Sequence, residues 1–420
     1  MTDLDKKSLE LHKQLGGKLS VSSKVPILTK QELSLIYTPG VAAVCQEIFN
    51  DASKAKTYSI KRNAVAVVTD GSAVLGLGNL GALAALPVME GKCALLKEFA
   101  GVDAFPICLD TQDTEAIIGT IKNISPVFGA ILLEDISAPR CFEIEERLKK
   151  ELDIPVMHDD QHGTAVVVLA ALINSLKLKN ASLGLLPSLR GVPPTKQSEN
   201  EKRLLRPNQG IAARNDKESK FLNKEEIKIV INGAGAAGTA IAKLLHNYGF
   251  KNILVCDSRG AITKDRTDLN HHKFELASIC KCEAAVDLKS ALKAADIFIG
   301  VSVKNILTPE MVRSMNRQPV IFALANPEPE IDPKAAKDAG AFIVATGRSD
   351  FPNQINNLLS FPGIFRGLLD SEKNNLTNTM LIKAAENLAG YVRNLSVNNI
   401  LPDPLDRGVV KIIASAILSS

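Results

Sequence analysis

The residues of this sequence best placed to do chemistry are two pairs of adjacent carboxylates. Residues 154–165 read IPVMHDDQHGTA, a short apolar strand that runs into Asp159 and Asp160 and then into a long apolar helix. Residues 130–135 read AILLED, an apolar run of strand length that ends in Glu134 and Asp135. A strand that stops at its acidic pair holds those side chains at the carboxyl edge of a sheet, where open α/β sheets put their ligands. Two neighbouring parallel strands of this form bring four carboxylates into one cleft, a charge tolerable only around a cation. The hard oxygen ligands point to Mg²⁺ or Mn²⁺. One such pair alone reads more readily as a helix N-cap or a turn; two on one sheet favour a metal site.

The second chemical signal is a phosphate cradle. In KIVINGAGAAGTAIAKLL an apolar strand meets Gly233-x-Gly235-x-x-Gly238 and passes directly into an amphipathic helix. The first glycine makes the turn, the second admits a pyrophosphate to the backbone, and the third lets helix and strand pack closely. Gly233, Gly235, Ala236 and Gly238 are therefore expected around a dinucleotide, with its phosphates at the helix N-terminus. Asp257 closes the next strand, NILVCD, at the distance of an acidic residue that bonds the adenosine ribose. Asp257 disfavours a 2′-phosphate, whereas Arg259 offers one a partner; the balance favours NAD, with NADP possible. A second match, Gly76-x-Gly78-x-x-Gly81, does not follow directly from a strand and reads as a substrate-facing loop. Asn326 after the strand VIFALA, and Asn356 and Asn357 in DFPNQINN, place amides where they can bind a carboxylate or the nicotinamide, or serve as ordinary turn residues.

Both signals need parallel sheets to position them, and the chain alternates accordingly. Strands at 64–69, 105–109, 130–133 and 155–157 are separated by helical patterns at 114–121 and 141–150, after a first helix and another at 41–50. Pro87 is expected to interrupt the pattern that carries Lys92. A helix over 163–178 leads into residues 180–223, which lack steady periodicity and read as an extended, disordered insertion. Alternation resumes with strands at 228–231, 253–256, 297–300, 320–324 and 341–345, and the chain ends in helices, the first capped by Thr377. The expected architecture is α/β: two doubly wound domains, the second Rossmann-like, with C-terminal helices. The boundaries fall at 1–162 for the metal domain, 163–392 for the nucleotide domain and 393–420 for a helical segment packing back on the first domain.

With 420 residues, 45% of them hydrophobic, no Trp and a net charge of +4 spread along the chain, the composition fits a multidomain α/β protein and lacks the basic face of a nucleic-acid binder. The apolar run near 163–173 is too short to span a bilayer, and the N-terminus has no signal-peptide core, so a cytoplasmic protein is expected. The seven cysteines are scattered and fit reduced thiols; Cys280 and Cys282 form a lone C-x-C without a second pair at zinc spacing.

YTPGV, DGS, GLGNLG, PVMEGK, FAGVDAFP, LED, HDDQHGTA, NGAGAAG, ALANPEPE, ATGRSDFPNQINN and FPGIFRG occur in this order from Tyr37 to Arg366, and together they resemble the malic enzymes, in particular their short bacterial form. The resemblance implies oxidative decarboxylation of L-malate to pyruvate and CO₂ with NAD or NADP and a divalent metal, in a homodimer. It implies Tyr37 as general acid and Lys92 as general base, with Asp159 beside Lys92 setting its charge. It further implies Glu134, Asp135 and Asp160 as metal ligands, and Asn326 and Asn357 on the substrate. Chemistry agrees with such roles: hydride loss from C2 needs a base near neutral pH, which a lysine supplies if a cationic, partly desolvated site lowers its pKa. A metal chelated by the C1 carboxylate and C2 oxygen then stabilises the enolate, which an acid such as Tyr protonates. Two departures stand out. SAVLGLG lacks the arginine that larger members carry before GLG, and the insertion at 180–223 has no counterpart in the usual pattern. The rival activity is a metal-dependent oxaloacetate decarboxylase without redox turnover.

Overall fold

Strand-length apolar runs alternating with helical patterns bury both faces of each strand only in a parallel sheet covered by helices. The computed structural model, which describes residues 3–184, 222–281, 286–371 and 373–420, contains two such sheets. The first holds β1 (Ala64–Thr69), β2 (Asp103–Cys108), β3 (Ala130–Leu133) and β4 (Val156–His158), all parallel, in the order β2-β1-β3-β4. The pairing that the metal argument requires is present: Ile131, Leu132 and Leu133 of β3 lie in register with Val156, Met157 and His158 of β4.

The second sheet holds β5 (Ile229–Asn232), β6 (Ile253–Asp257), β7 (Gly260–Ala261), β8 (Ile297–Gly300), β9 (Val320–Ala323) and β10 (Ile343–Thr346). Its order is β10-β9-β8-β5-β6-β7, parallel except for the two-residue β7. The strand order reverses at β5, which places a topological switch point at the glycine-rich turn.

Four helices precede the first sheet: α1 (Asp3–Leu15), α2 (Lys30–Ile36), α3 (Val41–Asn50) and the single turn α4 (Ala55–Tyr58). They bury no residue; Leu4, Leu9, Leu33, Leu35, Phe49 and Tyr58 all face outward. Around the first sheet run α5 (Ala82–Ala100), α6 (Thr114–Ile124) and α7 (Arg140–Glu151), followed by α8 (Asp159–Ser182). Pro87 does not interrupt α5. It lies near the helix start, where its ring bears on the carbonyl of Leu83 in the exposed first turn, and its own carbonyl accepts from Lys18 Nζ at 2.6 Å. The unbroken helix puts Ala85, Met89, Lys92, Cys93 and Leu96 on one buried face, so Lys92 projects from the apolar stripe rather than from the solvent side.

Helix α8 starts at Asp159, ahead of the expected start at 163, because the acidic pair itself forms the first turn, where negative charge suits the helix dipole. At 24 residues it is long and apolar enough to cross a membrane, contrary to the short run read from the sequence, yet 78% of its apolar window is buried inside the protein. Ala165 to Leu172 join β1, β3, β5 and the closing helices in one core, so α8 is the pillar shared by both sheets. The nucleotide half carries α9 (Ala236–Asn247), α10 (His271–Ile279), α11 (Leu288–Leu292), α12 (Pro309–Arg313) and α13 (Pro333–Asp338). The chain closes with α14 (Phe361–Ser371), α15 (Asn378–Tyr391), capped by Thr377, and α16 (Gly408–Leu418). Helix α16 packs on α14 and α15, and it reaches the first sheet's layer through Arg407, which donates to the Glu98 carbonyl at 2.5 Å and stacks on Phe99. Of the insertion, Asn180 is buried and accepts from the Leu222 N–H at 3.0 Å, which closes its base; residues 185–221 lie outside the described residues, as does Cys282. Cys45, Cys93, Cys108 and Cys141 are free thiols.

Candidate active site

The ends of β3 and β4 bring Glu134, Asp135 and Asp160 together, with one oxygen of each within 4.8 Å of the others. Glu134 and Asp135 are buried, and Glu134 Oε2 and Asp135 Oδ2 meet no hydrogen-bond donor among the described residues. Buried anionic oxygens without a donor are costly unless a cation faces them, and three hard oxygens in this arrangement fit a divalent metal. The backbone is committed to the arrangement: Asp135 takes φ +53°, a left-handed conformation unfavourable for a residue with a Cβ, while its N–H donates to Asp160 Oδ2 at 2.9 Å. Burial and then Asp160 push the Asp135 carboxyl up to about 7, and burial with the three neighbouring carboxylates raises Glu134 well above its usual range against the pull of Lys92.

Asp159 does not join the cluster. Its side chain is fully buried and turned to Lys92, whose Nζ contacts Asp159 Oδ2, lies 3.0 Å from Glu134 Oε1 and sits 4.4 Å above the Phe361 ring. Gly163 makes this fit possible, since a Cβ there would stand 1.9 Å from Asp159 Oδ1. The electrostatics of Lys92 reverse the sequence-based expectation. Burial pulls its pKa down, but Asp159 and Glu134 outweigh burial, so the ammonium is held above its ordinary range. The site is anionic rather than cationic, and the proton stays on Lys92 for as long as that field stands.

Behind the acidic pair lies a buried network that the sequence did not announce. Glu145 of α7 accepts from the His158 N–H and from Gln161 Nε2, both at 2.9 Å, and pairs with Lys149 at 2.8 Å and His162 at 2.9 Å. Burial opposes its ionisation, but His162 and Lys149 outweigh burial and hold the carboxyl well below the usual range. The four donors pin the β4–α8 junction from which Asp159 and Asp160 project. The His158 ring is fully buried; its Nε2 lies 3.3 Å from Asp160 Oδ2 but is not aligned for a hydrogen bond, and burial holds its pKa down. Glu145 and Phe361 were missed because each looks like an ordinary helix residue; only the adjacency of His158, Gln161 and His162 hinted that a buried acid must face them.

The nucleotide cradle follows the roles assigned to its glycines. Gly233 has φ +125° and faces the Val301 carbonyl, and a Cβ on Gly238 would stand 1.8 Å from the Gly233 carbonyl. A Cβ on Gly235 meets nothing within 4 Å, and the α9 N-terminus has no side-chain cap, which leaves its N–H groups for a phosphate. Asp257 is less available than its position suggested. Arg266 grips both its oxygens at 2.8 and 3.0 Å, Lys273 Nζ donates at 2.6 Å and the Arg259 N–H at 2.9 Å. These donors fill the carboxylate's acceptor sites and, against the effect of burial, hold its pKa at about 2. The Arg259 side chain turns to Asp268 at 3.0 Å, away from Asp257.

The glycine-rich loop after β1 bridges the halves. Ala73 N–H donates to the Asp135 carbonyl at 2.9 Å, and a Cβ on Gly76 would stand 2.9 Å from the Asn326 carbonyl. Asn326 is exposed beside Gly347, at the end of β9. Asn356 Oδ1 is taken up by the Leu358 N–H at 2.9 Å, the turn role that stood as its alternative. Asn357 lies next to it, where its carbonyl accepts from Ser360 Oγ; that hydroxyl also approaches the Gly163 carbonyl at 2.9 Å, beside Asp159. Tyr37 is not brought to the cluster: it ends α2, is 66% exposed, and its hydroxyl has no partner among the described residues.

A parallel sheet whose edge holds a carboxylate cluster and a buried lysine, facing a glycine-rich dinucleotide domain across one loop, defines a metal-assisted oxidoreductase architecture. Residues 16–149 match the family described as "Malic enzyme, N-terminal domain" and residues 209–418 "Malic enzyme, NAD binding domain"; the chain belongs to the malic enzyme family. It is 49% identical to the "Bifunctional malic/malolactic enzyme" of Bacillus subtilis, over 99% of this chain and 92% of that protein. It is 48% identical to the "NAD-dependent malic enzyme" of Geobacillus stearothermophilus, over 97% of this chain and 77% of that one. The crystal structure of the NAD-dependent malic enzyme of Thermotoga maritima superposes with a TM-score of 0.86 at 45% identity, covering 98% of this chain and 99% of that chain.

Proposed function

We propose that the protein oxidatively decarboxylates L-malate to pyruvate and CO₂, reducing NAD or NADP, in the bacterial cytoplasm. The observation that carries this reading is the division of labour among four neighbouring carboxylates: Glu134, Asp135 and Asp160 converge, with Glu134 Oε2 and Asp135 Oδ2 unpartnered among the described residues, while Asp159 is turned to Lys92. Held by those three residues, a divalent cation would supply Lewis-acid polarisation of the substrate's C2 oxygen. Lys92 accepts the hydroxyl proton of malate as general base once positive charge on the cluster offsets the carboxylate field, and Asp159 keeps its Nζ in place. The cradle at Gly233, Gly235, Ala236 and Gly238 orients the dinucleotide, and Asn326 and Asn357 hold the substrate's polar groups.

Tyr37 serves as general acid from the N-terminal arm, and the arm's unburied leucines and aromatics support a homodimer that sets where Tyr37 stands. The burial of α8 inside the protein supports the cytoplasmic reading. The two sheets support a metal domain at 1–162 and a nucleotide domain at 163–392, and the contact of Arg407 with Glu98 supports a segment at 393–420 that folds back.

The test is nicotinamide reduction by L-malate and Mn²⁺ with NAD and NADP in parallel, CO₂ being followed in the same samples. Reduction with matching CO₂ is expected. CO₂ from added oxaloacetate without any reduction from malate would leave only the decarboxylase.

A further inference from the structure

The opposite, amino-terminal edge of the first sheet holds a cavity of about 310 Å³ that the catalytic reading does not use. Gly129, just before β3, and Pro155, just before β4, form its floor, and Lys56, Lys61, Arg62 and Arg366 line its walls. Most of this positive charge is unanswered. Lys61 spends its Nζ on the carbonyls of Ser125, Pro126 and Phe128 at 3.2, 3.2 and 2.7 Å, bonds that satisfy its hydrogens without cancelling its charge. The side chains of Lys56 and Arg62 make no hydrogen bond or ion pair among the described residues. Arg366 is the exception, gripping Asp370, the one carboxylate among the described lining residues, at 2.9 and 2.6 Å, while Lys373, also on the lining, gives its Nζ to the carbonyls of Ile417 and Leu418 at 2.9 and 3.4 Å. Three like charges converging on a concavity repel one another unless an anion sits between them. The volume is at the small end of ligand pockets, which suits a small anion better than an extended polyanion such as nucleic acid.

We propose that this cavity binds a small anion carrying two or more negative charges, a phosphate ester or a dicarboxylate, and that the occupied cavity is felt at the catalytic edge. Two elements connect the sites. β3 joins Gly129 on its one side to Glu134 on the other, a span of about 17 Å at ~3.3 Å per residue. Helix α14 presents Arg366 to the cavity, while its first residue, Phe361, supports the Lys92 ammonium. The binding claim stands on the cavity alone; the coupling rests on the proposed malate chemistry.

The test is calorimetric titration of the full chain with inorganic phosphate and, separately, succinate. Ionic strength is fixed, saturating NAD and Mg²⁺ keep the nucleotide cradle filled, and chloride serves as control. The comparison is the double variant Lys56→Glu with Arg62→Glu, which reverses two charges whose side chains hold nothing else among the described residues. Saturable binding of at least one probe is expected, weakened at least tenfold in the variant, while anion-free malate turnover stays within twofold. The preferred probe tells a phosphate ligand from a carboxylate one. Heat no greater than that of chloride, or an affinity that the variant leaves unchanged, would overturn the site. Binding lost in the variant without any anion-dependent change in the malate KM of the unaltered protein would overturn the coupling alone.

Discussion

The carboxyl edges of the two sheets share a plan, parallel strands ending in acidic residues ahead of helix N-termini, yet they treat negative charge in opposite ways. At the first edge, Glu134, Asp135, Asp159 and Asp160 face a single lysine, and three of their oxygens, Glu134 Oε2, Asp135 Oδ2 and Asp159 Oδ1, have no donor among the described residues. At the second, Asp257 is saturated by Arg266, Lys273 and a backbone N–H before any ligand arrives. An edge with excess negative charge is built to take up a cation. An edge whose carboxylate is already neutralised, next to an open Gly235 and an uncapped helix, is built to take up an anion. Topology sets where ligands go, and the count of partners per carboxylate sets their sign.

The comparison breaks most directly at Lys92. Lys92→Ala is expected to lower malate turnover by about 10²- to 10⁴-fold, the usual worth of a positioned base, while NAD affinity by equilibrium dialysis stays within twofold. Unchanged turnover would remove Lys92 from the chemistry. At the metal cluster, Asp160→Ala should raise the Mn²⁺ concentration for half-maximal rate by more than about tenfold, since even partners outside the ligand shell are worth 10–100-fold. It should also raise the melting temperature of the chelator-treated protein, because one of four repelling carboxylates is gone. A lower melting temperature in chelator would mean that the cluster is not frustrated without a cation.

The second edge yields a paired test. Gly238→Ala drives a Cβ into the Gly233 carbonyl at 1.8 Å and is expected to cost about 1–3 kcal/mol of stability, the price of overpacking. Gly235→Ala meets open space and should leave the melting temperature unchanged, while weakening nucleotide binding by about tenfold, or ~1.4 kcal/mol. Equal melting temperatures for the two variants would show that the glycines do not divide packing from binding in this way.

What could be read without coordinates follows from the range of the interactions. Strand alternation, the β3–β4 adjacency and the packing roles of Gly233 and Gly238 depend on local pattern and on packing rules that hold for any parallel sheet, and they appear in the fold as expected. The carboxylates that surround Lys92 could not be counted from the sequence, because they converge from elements up to 67 residues away and no spacing rule counts them. Pro87 was misread as a break because the rule concerns the carbonyl four residues back, and the cost is small where that carbonyl lies in an exposed first turn. Glu145 shows a related limit even at short range: its donors lie 4 to 17 positions away, on the next turn of α7, on β4 and in α8, and a buried acid is recognised only when folding gathers them.

The saturation of Asp257 has a consequence in acid that the metal edge does not share. Its pKa in the folded protein is about 2, below the ~3.9 of an unfolded chain, so the folded state binds the proton less readily than the unfolded state. The stabilisation from Arg266 and Lys273 is therefore complete above about pH 4 and is lost as the pH falls through 2. Asp257→Asn removes the charge that Arg266 and Lys273 answer, so the variant should be less stable at pH 7 and should lose less further stability between pH 4 and pH 2 than the unaltered protein. Denaturant midpoints across that window measure the difference. Parallel acid limbs for the two proteins would mean that Asp257 is not held ionised by its partners, and the contrast between a cation-seeking edge and a pre-neutralised one would fail at its second term.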